Sequence, residues 1–162
     1  MFDSRGLLPQ DFTIKLADFS ESFFINGNNS ALKWNKFHRK ILSENFIALA
    51  RVLKEFGVHK VLVDGSFVTS KFEPNDIDGC YSIEMAEFVR LVKYNPIFDM
   101  SRRINGKPKM WAERKVELFP DFGQAASFDA DGNGIPFPSF FRMTRNGQKK
   151  GLLIVELNNP HD

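Results

Sequence analysis

Between Phe37 and Phe56 apolar residues return at Phe37, Ile41, Leu42, Phe46, Leu49, Val52, Leu53 and Phe56. This three-to-four spacing lines one face of a helix. Gly57 follows, suited to the left-handed residue that ends a helix. Val58 to Val63 is a β-branched run closing on Asp64-Gly65, a buried strand that meets a tight turn. Ser66 to Lys71 leaves room for one or two helical turns before Pro74 stops them. Asp76 to Ile83 alternates as a second strand, and Glu84 to Tyr94 sets Met85, Phe88, Val89 and Val92 along one side of a second helix. Lys115 to Phe119 forms a third strand and Gly151 to Leu157, GLLIVEL, a fourth, with irregular Gly- and Pro-containing sequence between them. No internal repeat or low-complexity tract interrupts this order. The pattern predicts a single α/β domain over 1–162, with a mixed sheet of four to five strands and flanking helices.

Composition narrows the classes without choosing among them. The chain has 162 residues, 43% apolar and 26% charged, enough for one core of ordinary size. A net charge of +2 is too small to imply nucleic-acid or membrane binding over the whole surface, so partners must be sought at local sites. The single cysteine, Cys80, excludes a disulfide or a cysteine-based zinc site within the chain and suggests a reducing compartment. The N-terminal residues carry no signal-peptide run, and no stretch reaches the roughly 20 apolar residues of a membrane span. A cytoplasmic protein without a membrane partner is expected. Eighteen phenylalanines against two tyrosines indicate a Phe-rich core.

The segment VDGSFVTSKFEPNDIDG, Val63 to Gly79, concentrates the chemistry. Asp76 and Asp78 stand two apart on a strand and therefore share a face, while Ile77 turns to the other side. Two carboxylates on one face repel, a cost offset when a cation sits between them, and hard oxygen donors suit Mg2+ or Mn2+ with phosphate oxygens completing the shell. Gly65-Ser66, where a strand meets a helical turn, offers close backbone approach, amide donors and a hydroxyl for a nucleoside triphosphate. Lys71 adds a point charge for the same anion.

A strand ending in Gly65-Ser66, followed by Asp76-Ile77-Asp78 opening the next strand, resembles the signature of the polymerase-beta-like nucleotidyltransferase superfamily. More widely, LLPQDF, DGSFVTSKFEPNDIDG and KKGLLIVEL resemble a small bacterial family with this fold that is associated with mobile elements, phage defence and toxin-antitoxin contexts. The resemblance implies a minimal nucleotidyltransferase fold in which Gly65 and Ser66 hold the nucleotide phosphates and Asp76 and Asp78 bind two magnesium ions. It also implies transfer of a nucleoside monophosphate to a protein or RNA hydroxyl, with a third carboxylate on a neighbouring strand. Within KVELF, Val116 and Leu118 share one face and Glu117 the other, which makes Glu117 the candidate for that metal-binding and catalytic carboxylate. Asp121 has the same parity but lies beyond Pro120, where the strand should end.

Other signals are weaker. DADGNG, Asp129 to Gly134, matches the first places of a calcium loop, but its twelfth place is Phe140 and Pro136 and Pro138 block the exit helix, so a surface turn is expected. Ser101 to Lys115 holds Arg102, Arg103, Lys107, Lys109, Arg114 and Lys115 beside Trp111, a solvated connection or a contact for RNA or triphosphate. His38, His59 and His161 show no ligand spacing and Cys80 reads as a small buried residue. Two functions remain: a metal-dependent nucleotidyltransferase, or a non-catalytic module of the same fold that serves with a protein partner from a paired gene as antitoxin or defence component.

Overall fold

A helix with one apolar stripe must lay it on something, and here a five-stranded sheet receives it. The computed structural model describes residues 1–27 and 33–158; His161 lies outside them. In chain order the elements are β1 (Phe12–Lys15), α1 (Phe23–Asn26), α2 (Lys36–Glu55), β2 (Lys60–Asp64), β3 (Ile77–Ser82), α3 (Met85–Tyr94), β4 (Arg103–Ile104), β5 (Lys107–Pro108), α4 (Lys109–Arg114), β6 (Val116–Asp121), β7 (Ala125–Phe128), β8 (Gly134–Pro136), α5 (Phe137–Phe141) and β9 (Leu153–Glu156). The main sheet runs β1-β9-β2-β3-β6. Its outer pairs, β1 with β9 and β3 with β6, are parallel, and β2 is antiparallel to both β9 and β3. The expected α/β architecture with a mixed sheet and flanking helices is therefore present.

Strand alternation divides the sheet into two faces. Val61, Val63, Ile77, Tyr81, Val116, Leu118, Leu153 and Val155 join Leu42, Phe46, Leu49 and Leu53 of α2 in one contiguous core. On the other face Leu62, Cys80 and Phe119 pack with Phe137, Phe141 and Leu152 in a smaller cluster beneath α5. Cys80 is buried, as its sequence setting suggests. Among the described residues no helix is long and apolar enough to cross a membrane.

The structure corrects several details. The α2 stripe starts on Arg39, not Phe37: Arg39 is 0% exposed while Phe37 is 76% exposed and Ile41 also faces out. On α3 the buried line runs through Leu91 with Phe88 and Val92 half-buried, and Met85 and Val89 face outward. Strand β6 continues through Pro120 to Asp121, because it is the sheet's last strand and Pro120 lies on an edge where no N–H is missed. The basic segment holds a hairpin, β4–β5, and the irregular sequence before β9 holds another, β7–β8, followed by the short helix α5. Pro136 and Pro138 do not block that helix, because they stand at its cap and first turn, where no intrahelical N–H is needed. The β4–β5 hairpin turns on Asn105-Gly106 with φ of 51° and 76°, the pair of positive angles that suits a two-residue hairpin.

Arg39 explains how the connection from β2 to β3 is held. Its Nη1 donates to the carbonyls of Phe24 and Phe67 at 3.0 and 2.7 Å, and its Nη2 to those of Thr69 and Lys71 at 3.1 and 2.7 Å. The guanidinium lies 4.0 Å from the Trp34 ring centroid. Burial lowers its pKa to about 10, which still leaves it charged at neutral pH. Two neighbours on the same helical turn add to this: Asn35 caps α2 through His38 N–H while its own N–H donates to the Phe72 carbonyl, and His38 Nε2 bonds the Pro74 carbonyl at 2.7 Å.

Arg39→Leu strands four buried or half-buried carbonyls and is expected to destabilise the protein by at least about 3 kcal/mol. Lys40→Ala on the exposed side of the same turn should stay within about 0.5 kcal/mol of the parent. Urea unfolding midpoints compare the two; equal shifts would remove Arg39 from its place as the anchor of the β2–β3 connection.

Candidate active site

Register places three carboxylates abreast on the sheet. Asp78 of β3 pairs with Asp64 of β2 on one side and with Glu117 of β6 on the other, and directly paired residues present their side chains to the same face. The fourth, Asp76, stands one residue before β3 and two before Asp78. Their opposite-face neighbours Ile77, Val116 and Leu118 are fully buried in the main core, which fixes the orientation of the strands.

Burial first, and the charge of neighbouring acids second, raise Asp78 and Glu117. Burial pushes Asp78 up to about 7, and the charges of Asp76, Glu117 and Asp64 add to the rise, against a lowering by Lys150. Glu117 is raised by burial and by Asp76, opposed by Lys107 and Arg103. Asp64 is raised by burial and held down by its ion pair with the Lys150 ammonium. Asp76 has a different partner: Trp111 Nε1 donates to its Oδ2 at 2.8 Å. The Lys115 and Lys107 ammoniums lie 3.6 and 5.0 Å from the centroid of that indole.

Gly65 joins β2 to a 3-10 turn over Ser66–Val68. Its φ of 79° and ψ of −165° belong to a region open essentially to glycine, and a Cβ there would run into Oδ2 of Asp78. Only glycine lets the turn come this close to the acids. Ser66 follows at the start of the turn, half-buried, with its carbonyl accepting from the Thr69 hydroxyl and N–H. Lys71 is exposed and gives its carbonyl to Arg39, while the cations that act on the acids are Lys150, Lys107 and Arg103.

The structure thus brings together Asp76, Asp78, Glu117 and Gly65, adds two residues that sequence reasoning missed, Asp64 and Lys150, and makes Trp111, singled out there beside the cations, a donor to Asp76. Asp64 precedes the Gly-Ser pair directly, and Lys150 sits in KKG before the last strand, so their only sequence signal was adjacency to motifs already singled out. The basic segment divides. Arg103 and Lys107 act on Glu117, whereas Arg102 pairs with Asp99 and Lys109 with Glu113, beside a separate cleft bordered by Ile97 and Arg114. DADGNG is the β7–β8 turn, its Asp129 carboxylate accepting from the N–H groups of Asp131 and Asn133. Asp121 pairs with Ser82, four residues along from the Glu117 row. His59 Nδ1 bonds the Asn158 side-chain amide, so His38 and His59 both have structural partners. The Cys80 thiol is pushed up to about 12 by burial, which keeps it a thiol at neutral pH.

As a donor set, Asp76, Asp78 and Glu117 offer hard oxygens from one face of adjoining strands, in keeping with Mg2+ or Mn2+ chemistry. In the conformation seen, Asp76 is turned to Trp111 and Asp64 to Lys150. Among the described residues no three acid, histidine or cysteine side chains stand in metal-holding geometry.

The chain belongs to DUF6932, a family of unknown function whose family model matches residues 1–156. No curated protein matches it, and no solved structure does.

The burial of Asp78 among other acids has a thermodynamic signature. An unfolded Asp78 titrates near 3.8 and the folded one near 7, so between those values the folded chain keeps a proton that the unfolded chain has released. This contribution is complete below about pH 4 and is lost as pH rises to about 7. In EDTA, Asp78→Asn should match the parent near pH 4 and exceed its stability by roughly 2 to 4 kcal/mol at pH 8. A gap independent of pH in urea titrations would show that Asp78 carries no such strain.

Proposed function

We propose that the protein is a metal-dependent nucleotidyltransferase of the polymerase-beta-like kind, moving a nucleoside monophosphate from a nucleoside triphosphate to an RNA or protein hydroxyl. The observation that carries this reading is the row Asp64, Asp78, Glu117 across three adjoining strands, with the Gly65 backbone against Asp78. Asp76, Asp78 and Glu117 would hold Mg2+ or Mn2+, which supplies charge neutralisation to the triphosphate and acidifies the attacking hydroxyl. Gly65 and Ser66 receive the phosphates through close backbone approach, an N–H and a hydroxyl, with Lys71 as an outer charge. Arg103 and Lys107 lend positive charge beside Glu117. The acceptor oxygen attacks the α-phosphorus and its proton passes to the Glu117 carboxylate. The α-phosphorus to bridging-oxygen bond breaks, and pyrophosphate leaves with the bonding pair. A triphosphate substrate and a lone reduced cysteine fit a cytoplasmic setting.

One observation favours a second reading, a nucleotidyltransferase-fold module without turnover that works with a paired protein as antitoxin or defence partner. The Lys150 ammonium already neutralises Asp64 within the acid row. Such a module binds nucleotide without releasing pyrophosphate.

Titration calorimetry with Mn2+ and each of ATP, GTP, CTP and UTP should detect binding of at least one, and Asp76→Ala with Asp78→Ala should weaken it by about tenfold or more. If none of the four produces heat, the nucleotide reading fails. Binding without pyrophosphate release, in the presence of RNA and of the paired protein, selects the second reading.

A further inference from the structure

Residues 142–150, RMTRNGQKK, carry four cations and no acid. They fold back on themselves as a short arm: Lys150 N–H donates to the Arg142 carbonyl, Thr144 N–H to that of Gln148, and Gly147 N–H to that of Thr144. The arm enters β9 directly, at the end of the sheet where β2 finishes, since Val63 pairs with Leu153. Beneath it lies a cleft of about 600 Å3 lined by Gln10, Asp11, Arg142, Lys149 and Lys150 among others. Asp11 fixes the wall: it receives both Nη atoms of Arg142 and the N–H of Leu152. Lys150 lines the cleft and reaches from it to Asp64, the β2 member of the acid row. Lys149 and Arg145 are exposed. On the far side of the acids, Arg103 and Lys107 of the β4–β5 hairpin act on Glu117. Positive charge therefore flanks the row on both sides.

We propose that the 142–150 arm and its cleft seat the acceptor, and that the acceptor is a single-stranded nucleic acid whose terminal hydroxyl reaches the Asp78–Glu117 row. The role given to the hydroxyl rests on the transfer reading above; binding of the strand does not. Phosphate oxygens are the ligands that clustered Arg and Lys take, and contacts of this kind position a strand without reading its sequence. A protein acceptor would instead anchor through buried apolar or aromatic side chains, and among the described residues lining this cleft Pro9 alone has an apolar side chain.

Fluorescence anisotropy with a labelled oligonucleotide of about 12 residues, as RNA and as DNA of the same sequence, tests this without metal or triphosphate. Binding should weaken with salt at a log–log slope near −2, as about three phosphate contacts to a single strand require. Lys149→Glu with Arg145→Glu should lower affinity by about tenfold and flatten the slope, and Lys149→Arg with Arg145→Lys should keep both. All four substitutions are at exposed positions, and unchanged urea midpoints establish that the fold persists. Binding of RNA, of DNA or of both supports the proposal and identifies the strand. Absence of salt-dependent binding, or equal affinity in the charge-reversed variant, overturns it and leaves a protein acceptor. If nucleotide calorimetry fails while strand binding holds, the transfer reading falls and the strand site stands.

Discussion

A buried guanidinium with no carboxylate beside it among the described residues is costly unless every direction its hydrogens point is answered, and in Arg39 backbone carbonyls give most of that answer. The planar fork of Arg suits this, since one side chain can gather donors from two nitrogens toward separate segments, which an ammonium on a flexible stem does less well. Phe24 belongs to α1, and Phe67, Thr69 and Lys71 to the β2–β3 connection. Arg39 thus ties α1, α2 and that connection at one point, with Trp34 covering the cation. The Gly65 turn and the entry of Asp76 into β3 are the two ends of the same connection. Where the chain passes over Arg39 sets where the Gly65 turn meets the acids.

The two sides of the sheet are governed by opposite rules. On the core side, β-branched and leucine side chains alternate without a charged intruder apart from Arg39, and local preference agrees with packing. On the other side, beyond the small Cys80–Phe141 cluster, four acids crowd the ends of β2, β3 and β6. That crowding works against stability. It persists because the strands bearing the acids are held from behind by Ile77, Val116 and Leu118, so side-chain repulsion cannot turn them over without exposing the core. Lys150, Arg103 and Lys107 relieve part of it, and Trp111 holds Asp76 by a single hydrogen bond. A local cost of this kind is sustained by the well-packed scaffold behind it.

What the sequence revealed depended on period and length. α2, β2, β3, α3, β6 and β9 were legible because each carries apolar residues at helix or strand period. β1 was not, since its four residues are mostly exposed and it gains its place by pairing with β9 at the far end of the chain. The β4–β5 hairpin hid within a charge run, although its Asn-Gly turn was available as a signal. Arg39 was invisible because a charged residue was counted as polar, and the stripe was consequently drawn through Phe37 and Ile41. Within the site, strand parity indicated that Asp76 and Asp78 share a face, and the nucleotidyltransferase resemblance, with parity inside KVELF, pointed to Glu117 as their neighbour. Asp64 and Lys150 needed register, which joins β2 to β3 and β9 across the sheet and leaves no mark in local sequence.

Topology decides why chemistry gathers at one end of this sheet. Because β2 is antiparallel to β3 and β9, and β3 is parallel to β6, the end of β2 and the beginnings of β3, β6 and β9 lie together. The segments that enter β6 and β9 at that end both carry hairpin turns rich in cations: Arg103 to Lys107 upstream of β6, and Arg142 to Lys150 upstream of β9. Strands supply the acids and so fix their spacing to the rigid geometry of the ladder. Connections supply the cations, which can differ in length and reach without disturbing that spacing. The spacing of the acids is therefore set by the ladder that Arg39 and the core keep in register, while the placement of the cations is set by the two arms.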